Sequence, residues 1–186
     1  SGLPSNKVIG SGTVLDSSRF RASLATRLGV DLRNIHGYIL GEHGDSQVAA
    51  WSLTNIMGIN FDEFCIDYLD NCNPAIKQEI EHHVKTSAYK IIERKGATNY
   101  AVALAIAKIV KSILRDENSI LTVSTHVKNI GGIEDVYLSL PCVVNKNGIH
   151  KVLSPTLSPQ ENEALKKSAS IIKGHIEEVL GKVAIT

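Results

Sequence analysis

The chain has 186 residues, 43% of them hydrophobic, which is enough to bury the core of one domain. Its 20 Lys and Arg against 19 Asp and Glu give a formal net charge of +1, so the sequence supplies no broad basic field for nucleic acid or an anionic membrane surface. Small molecules or other subunits are therefore the expected partners, with no nucleic acid and no membrane among them.

Cysteine usage and hydropathy point to a cytoplasmic protein. The three cysteines, Cys65, Cys72 and Cys142, are an odd number without CxxC spacing. This argues against both a disulfide framework and a Cys-rich zinc site, and it favours the reducing cytosol. The strongest apolar run, residues 101–107, stops well short of the roughly 18 residues that suggest a spanning helix.

The hydrophobic pattern predicts a helix first, from about Thr13 to Leu28, with Gly29 as its stop. Residues 35–40 are then predicted to form a short buried strand. The strand runs directly into the segment from Gly41 to Asp45, whose two glycines interrupt any regular element. A polar loop is therefore expected at the end of a strand.

Two long helices are predicted next. Asn73-Pro74 opens a helix that extends to about residue 95, because proline is tolerated in a first turn, and Gly96 ends it. The second helix covers residues 98–114. Because its apolar residues occur on several faces, we expect it to be largely buried.

The remainder is predicted as strands, a hairpin and a last helix. Strands are expected over residues 120–126 and 136–144, with Asn147-Gly148 as the hairpin turn that follows. Ser158 is the expected N-cap of the last helix, because Glu161 follows it by three positions. This order indicates an α+β fold rather than regular βαβ alternation.

A dinucleotide fingerprint is missing. The segment Gly10-Ser11-Gly12-Thr13 lacks the Gly-x-Gly-x-x-Gly spacing, and no βαβ unit surrounds it. The chain alone is therefore not expected to hold a dinucleotide well.

Three charged residues of the first helix could serve two sites. Asp16 and Arg19 lie about 60° apart around the helix axis, so both can face one site. Arg21 lies about 200° from Arg19 and should serve another surface. On spacing alone, a surface ion pair and a solvated Arg21 are the commoner outcomes.

The segment Gly41-Glu42-His43-Gly44-Asp45-Ser46 is more specific. An imidazole on a glycine-bounded loop at a strand end is accessible and can be oriented by a carboxylate, although a hydrogen-bonded loop histidine is equally common. Metal binding by His43 with Asp45, or by His82-His83, is disfavoured because no spacing supplies a third and fourth ligand. A hydrolase is disfavoured because no Gly-x-Ser-x-Gly elbow occurs.

Taken together, residues 8–21 followed by residues 41–46 strongly resemble the L-lactate dehydrogenase family, in its bacterial type activated by fructose 1,6-bisphosphate. Residues 95–98, 121–124 and 135–141 look like later landmarks of that family and extend the resemblance over essentially the whole chain. The resemblance implies that residues 1–186 are the C-terminal, substrate-binding domain, with long helices packed on an antiparallel sheet. It also implies that the N-terminal NAD-binding Rossmann domain is absent from this chain.

The resemblance implies reversible hydride transfer between NADH and pyruvate to give L-lactate, as in glycolysis and pyruvate fermentation. His43 would donate the proton to the carbonyl oxygen, which suits an imidazole whose ordinary pKa is about 6.5. Asp16 would orient His43 and favour its charged form. Arg19 would grip the substrate carboxylate through two parallel hydrogen bonds, and Thr98 would line the pocket.

Three further roles follow from the resemblance. Val102 would touch the nicotinamide of NAD, although an apolar residue in a buried helix is more often plain core. Arg21 and His36 would bind fructose 1,6-bisphosphate between subunits as an allosteric activator, with two unrelated surface cations as the alternative. The full-length enzyme would be a homotetramer.

Two sets of alternatives stay open. The chain could be the C-terminal domain of a malate or 2-hydroxyisocaproate dehydrogenase, because the residue that separates these preferences would lie upstream. From another class, it could be a non-catalytic assembly or ligand-binding module. The isolated chain is expected to be inactive, since the arginine that polarises the carbonyl would also lie upstream.

Overall fold

A computed structural model describes residues 2–69 and 72–183 of the chain. The described residues form five α-helices: α1 (Val14–Leu28), α2 (Phe61–Tyr68), α3 (Ile76–Lys95), α4 (Tyr100–Leu114) and α5 (Pro159–Val183). The eight strands of the described residues lie in two groups, five between α1 and α2 and three between α4 and α5: β1 (Ile35–His36), β2 (Ile39–Leu40), β3 (Val48–Ala49), β4 (Asn55–Ile56), β5 (Ile59–Asn60), β6 (Ser119–Val127), β7 (Val136–Asn145) and β8 (Gly148–Val152). All of their pairings are antiparallel, so the predicted α+β class is confirmed.

Local sequence signals set the ends of the helices. Gly29 ends α1 in the left-handed conformation at φ 67°, which glycine adopts without a steric penalty. The backbone N–H of Glu161 donates to Ser158 Oγ at 3.2 Å, and the Ser158 N–H donates to the Glu161 carboxylate at 2.8 Å. This reciprocal pair is a capping box, so the predicted start of the last helix is confirmed.

Glu161 also binds a second segment. Its carboxylate accepts the backbone N–H of Ser52 at 3.0 Å and the Ser52 hydroxyl at 2.5 Å. Burial raises the pKa of Glu161, but hydrogen bonds from Ser52 and Ser158 outweigh that effect and leave the pKa below its ordinary value. The first turn of α5 is therefore fastened to the short 3₁₀ helix Trp51–Leu53.

The predicted strand over residues 35–40 is divided between two sheets. β1 pairs with β4, whereas β2 pairs with β3. Gly37 lies at the break, where a Cβ would come within 2.9 Å of the Phe20 ring. The chain therefore turns tightly over α1 at this point, and the prediction of one continuous strand was wrong.

The long hairpin joins β7 to β8 with a register one residue earlier than predicted. Asn145 pairs with Gly148, so the two turn residues are Lys146 and Asn147. Gly148 takes the positive φ of 88° as the first residue of β8. The sequence located the turn correctly but assigned glycine to the wrong position of it.

Helices cover the two ends of β7. Leu138 and Leu140 belong to a core cluster with Leu165 and Ala169 of α5. Farther along the strand, Cys142 and Val144 belong to a cluster with two residues of α4, Ala105 and Ile109. A third cluster joins α1, α2 and α3. The candidate site lies where α1 and α5 approach the central sheet, which consists of β6, β7 and β8.

The prediction that α4 is largely buried was wrong. Only Ala105, Ile109 and Ser112 of this helix are buried. Several of its large apolar side chains are exposed, with Leu104 at 73% and Leu114 at 79%. The apolar residues on several faces of α4 therefore did not predict that each of these faces packs against another part of the chain.

The cysteines also correct a prediction. Cys65, at 1% exposure, forms a disulfide with Cys72 across a sequence separation of 7, so the expectation of three unpaired thiols was wrong. The absence of CxxC spacing did not exclude this pairing because the end of α2 brings the two Cα atoms within 5.4 Å. Cys142 is free, and its burial raises the pKa of its thiol to about 12. None of the helices described is long and apolar enough to cross a membrane.

Candidate active site

The first turn of α1 is anchored to the rest of the domain by buried hydroxyl groups. Thr13 Oγ1 donates to the carbonyl oxygen of Ile39 at 2.5 Å, and Ser17 Oγ accepts the Ile39 N–H at 2.9 Å. Ser17 Oγ also lies 2.9 Å from Thr122 Oγ1 on β6. The position of Asp16 is therefore fixed relative to both β2 and the central sheet.

The loop that carries His43 begins where β2 ends. Gly41 exchanges two backbone hydrogen bonds with Ser139 of β7, at 2.9 and 3.1 Å, and adopts a φ of +90°. That conformation turns the chain out of the strand, and it is one that residues with a Cβ rarely adopt. The turn carries His43 to the N-terminal end of α1.

Asp16, Arg19 and His43 form one cluster. His43 Nδ1 lies 2.5 Å from Asp16 Oδ2, and Arg19 Nη1 lies 3.3 Å from Asp16 Oδ1. The exposed fractions of the side chains are 3% for Asp16, 14% for Arg19 and 57% for His43. A buried carboxylate thus lies between a mostly buried guanidinium and an accessible imidazole.

The cluster favours the protonated form of His43. The hydrogen bond to Asp16 raises the pKa of His43 above its ordinary value, and partial burial opposes that shift. The negative charges of Asp16 and Glu42 add to the increase, whereas the charge of Arg19 reduces it. Because an ionised carboxylate can only accept, Nδ1 carries the N–H towards Asp16, and Nε2 is the nitrogen that can exchange a proton with a ligand.

Two cavities adjoin this cluster, and neither encloses it. A groove of about 570 Å³ between α1 and α3 is lined by Arg19 together with His83 and Ser87. The larger cavity, about 850 Å³, is lined by Glu42, Asp45 and other residues, but not by His43 or Arg19. In the part of the chain that the structure describes, His43 is the member of the cluster that is open to solvent, whereas Asp16 and Arg19 are mostly buried.

The other residues singled out from the sequence lie elsewhere. Thr98 is half-buried between α3 and α4, and Val102 is half-buried in α4. Over residues 2–69 and 72–183, neither forms a hydrogen bond or an ion pair with the cluster. The Arg21 guanidinium donates to the carbonyl oxygen of Gly37 at 3.1 Å and to Ser18 Oγ at 3.2 Å, and it takes no part in the cluster. Burial lowers the pKa of Arg21.

Sequence reasoning missed a part of the site that comes from α5. The Glu42 backbone N–H donates to Ser168 Oγ, across 126 positions of sequence. A serine on a helix gives no signal of such a contact. The periodicity of α5 indicates only that position 168 faces inward.

The fold and this cluster define a class of protein. Residues 13–183 match the family model described as the lactate/malate dehydrogenase, alpha/beta C-terminal domain. The chain belongs to this family.

Similar proteins carry a more specific name. The chain is 52% identical to an L-lactate dehydrogenase of Clostridium perfringens, over 95% of this chain and 56% of that relative. It is 54% identical to an L-lactate dehydrogenase of Thermoanaerobacter pseudethanolicus, over 96% of this chain and 58% of the relative. The chain therefore spans little more than half the length of the curated relatives that it matches.

Solved structures agree with this family. An L-lactate dehydrogenase from Clostridium thermocellum superimposes with a TM-score of 0.87 at 50% identity, covering 96% of this chain and 58% of that one. A minor L-lactate dehydrogenase from Enterococcus mundtii gives a TM-score of 0.91 at 40% identity, covering 96% and 57%. The predicted resemblance to the L-lactate dehydrogenase family and the predicted fold of its C-terminal domain are confirmed.

Proposed function

We propose that this chain is the substrate-binding and catalytic half of an NAD-dependent L-lactate dehydrogenase, acting on pyruvate and L-lactate. The observation that supports this most directly is the Asp16, Arg19 and His43 cluster. It combines an anion-binding guanidinium and a proton-donating imidazole around one buried carboxylate. A small 2-oxo acid needs both groups, because it presents a carboxylate beside a carbonyl.

In this proposal Arg19 binds the substrate carboxylate. A guanidinium can offer two parallel N–H groups to a carboxylate, and only Nη1 of Arg19 is engaged with Asp16. Protonated His43 donates from Nε2 to the carbonyl oxygen as that oxygen gains negative charge. In the reverse direction, neutral His43 accepts the proton of the lactate hydroxyl. Asp16 holds the ring in the required tautomer and orientation throughout.

NAD would be held mainly by sequence outside this chain. All described strand pairs are antiparallel, so residues 2–69 and 72–183 provide no parallel βαβ unit in which a dinucleotide usually binds. When bound, NADH supplies the hydride. Half-buried Val102 would contact the nicotinamide, and Thr98 would line the substrate pocket.

An upstream nucleotide-binding domain would also cover the exposed side of His43. Hydride transfer requires a site from which water is excluded, and His43 is 57% exposed on this chain. We therefore propose that the 186-residue chain alone does not reduce pyruvate.

Steady-state kinetics test the proposal. The full-length protein is assayed for NADH oxidation with pyruvate, oxaloacetate and 2-oxoisocaproate, and the 186-residue chain is assayed in parallel. We expect pyruvate to give the highest kcat/KM and the short chain to give none. Preference for oxaloacetate or 2-oxoisocaproate would instead indicate a malate or 2-hydroxyisocaproate dehydrogenase. No turnover by the full-length protein would favour a non-catalytic assembly or binding module.

A regulatory site is a second part of the proposal. Arg21 contacts the carbonyl oxygen of Gly37, the residue that follows His36 in the sequence. The two cations, Arg21 and His36, would bind fructose 1,6-bisphosphate as an allosteric activator between subunits of a cytoplasmic homotetramer. Pyruvate saturation curves with and without the sugar bisphosphate, for the wild type and for Arg21→Gln, test this assignment. Identical wild-type curves would refute it.

A further inference from the structure

Ser168 completes a ring of hydrogen bonds with the loop that carries His43. Its Oγ accepts the Glu42 N–H at 2.8 Å and lies 2.9 Å from Ser46 Oγ. Ser46 in turn donates to the Glu42 carboxylate. Each hydroxyl has one hydrogen to donate. Because the Ser46 hydroxyl donates to the Glu42 carboxylate, the Ser168 hydroxyl must be the donor to Ser46 Oγ. The ring thus engages the loop on both sides of His43.

The same hydroxyl packs directly against the backbone of the loop. A Cβ at Gly41 would lie 2.7 Å from Ser168 Oγ and 3.2 Å from Ser168 Cβ. Ser168 is 0% exposed, and its neighbours Leu165 and Ala169 belong to the core around β7. Gly41 is bound from the other side by Ser139. The loop is therefore clamped between α5 and the central sheet.

We propose that Ser168 is a positioning residue that holds His43 in contact with Asp16. This inference rests on the proposed function for its kinetic consequence, but not for its effect on His43 itself. Among the residues that the structure describes, the His43 side chain forms one hydrogen bond, to Asp16 at 2.5 Å. A small displacement of the loop would break that bond, and only the ring through Ser168 connects the loop to α5 by side-chain hydrogen bonds among the residues described.

The charged groups that face His43 are Asp16 and Arg19 from α1 and Glu42 from its own loop. The bond to Asp16 is the largest cause of the raised pKa of His43, and the ring also fixes the carboxylate of Glu42. Loss of the Ser168 hydroxyl should therefore lower the pKa of His43. A purely structural role in α5 would leave that pKa unchanged.

The test compares Ser168→Ala with Ser170→Ala in the full-length protein. Ser170 lies on the same helix but is exposed and donates only to the Lys166 carbonyl, so it is a matched control. Diethyl pyrocarbonate acylates neutral imidazole, and peptide mass spectrometry across a pH series reports the pH midpoint for His43. We expect Ser168→Ala to lower that midpoint and to speed modification near pH 6 about threefold. Ser170→Ala should match the wild type.

Kinetics provide the second readout. We expect kcat for pyruvate to fall about tenfold in Ser168→Ala, with KM changed less than about twofold, because alignment rather than carboxylate binding is lost. An unchanged midpoint and an unchanged kcat would overturn the proposal. If Ser168→Ala does not fold, Ser46→Ala opens the same ring from the loop side and must show the same shift. If the wild type turns over no 2-oxo acid, the proposed function fails, and the modification data still decide the role of Ser168.

Discussion

Replacing Asp16 with Asn should destabilise the domain in a way that depends on pH. The substitution keeps the shape of the side chain and an acceptor oxygen, but removes the charge shared by Arg19 and His43. The contact with Arg19 is part-buried and unaffected by pH near neutrality, so its loss should cost about 1–2 kcal/mol. The contact with His43 is exposed on the imidazole side, which limits its contribution to about 1 kcal/mol.

The sign of the pH dependence follows from the direction of the His43 shift. Its pKa is raised in the folded state, so the stabilisation is fully present below the ordinary value of about 6.5 and is lost as pH rises through the folded pKa. We therefore expect Asp16→Asn to lower the free energy of unfolding by about 2–3 kcal/mol near pH 5 and by about 1–2 kcal/mol near pH 9.

Urea unfolding of the 186-residue chain at a series of pH values measures this difference. Asp45→Asn is the control, because Asp45 lies on the same loop and its carboxylate accepts a long hydrogen bond from the exposed Tyr89 hydroxyl, at 3.5 Å. It should change stability little at any pH. A difference between the wild type and Asp16→Asn that stays constant from about pH 5 to 9 would show that His43 is not coupled to Asp16 in solution.

Three other substitutions or treatments have clear expectations. Arg19→Lys should raise the KM for pyruvate of the full-length protein at least about tenfold, since one ammonium cannot make two parallel bonds; an unchanged KM would contradict its role. Glu161→Gln should lower the free energy of unfolding by about 1–2 kcal/mol, measured with urea, whereas Glu163→Gln, at an exposed position two residues further along α5, should not. Reduction of the Cys65–Cys72 disulfide with dithiothreitol should lower the free energy of unfolding by about 2 kcal/mol. Identical urea midpoints for the reduced and the untreated protein would argue against the disulfide.

The parts of the fold that were predictable from the sequence are those set by neighbours along the chain. Gly29 and the pair Ser158 and Glu161 define helix ends through contacts within a few residues. Asp16 and Arg19 share one turn of α1, so their proximity follows from helix geometry alone. Such local rules do not depend on how the elements later come together.

The contacts that could not be predicted join distant elements. The ring through Ser168 depends on α5 crossing the end of β2, and nothing in the serine itself indicates that crossing. Gly37 broke a predicted strand because the ring of Phe20 lies against it. The disulfide likewise depends on where α2 ends. Each of these three features depends on tertiary packing, which hydrophobic periodicity along the sequence does not predict.

The bare side of α4 makes protein concentration a variable in any experiment on the short chain. Leu104, Ile106 and Leu114 are 73%, 47% and 79% exposed, and such a surface promotes self-association in water. Measurements on dilute samples would describe the monomer, whereas measurements at high protein concentration would describe oligomers that associate through α4. Replacing Leu104 and Leu114 with Glu would keep the domain dispersed, because neither side chain contributes to the buried core.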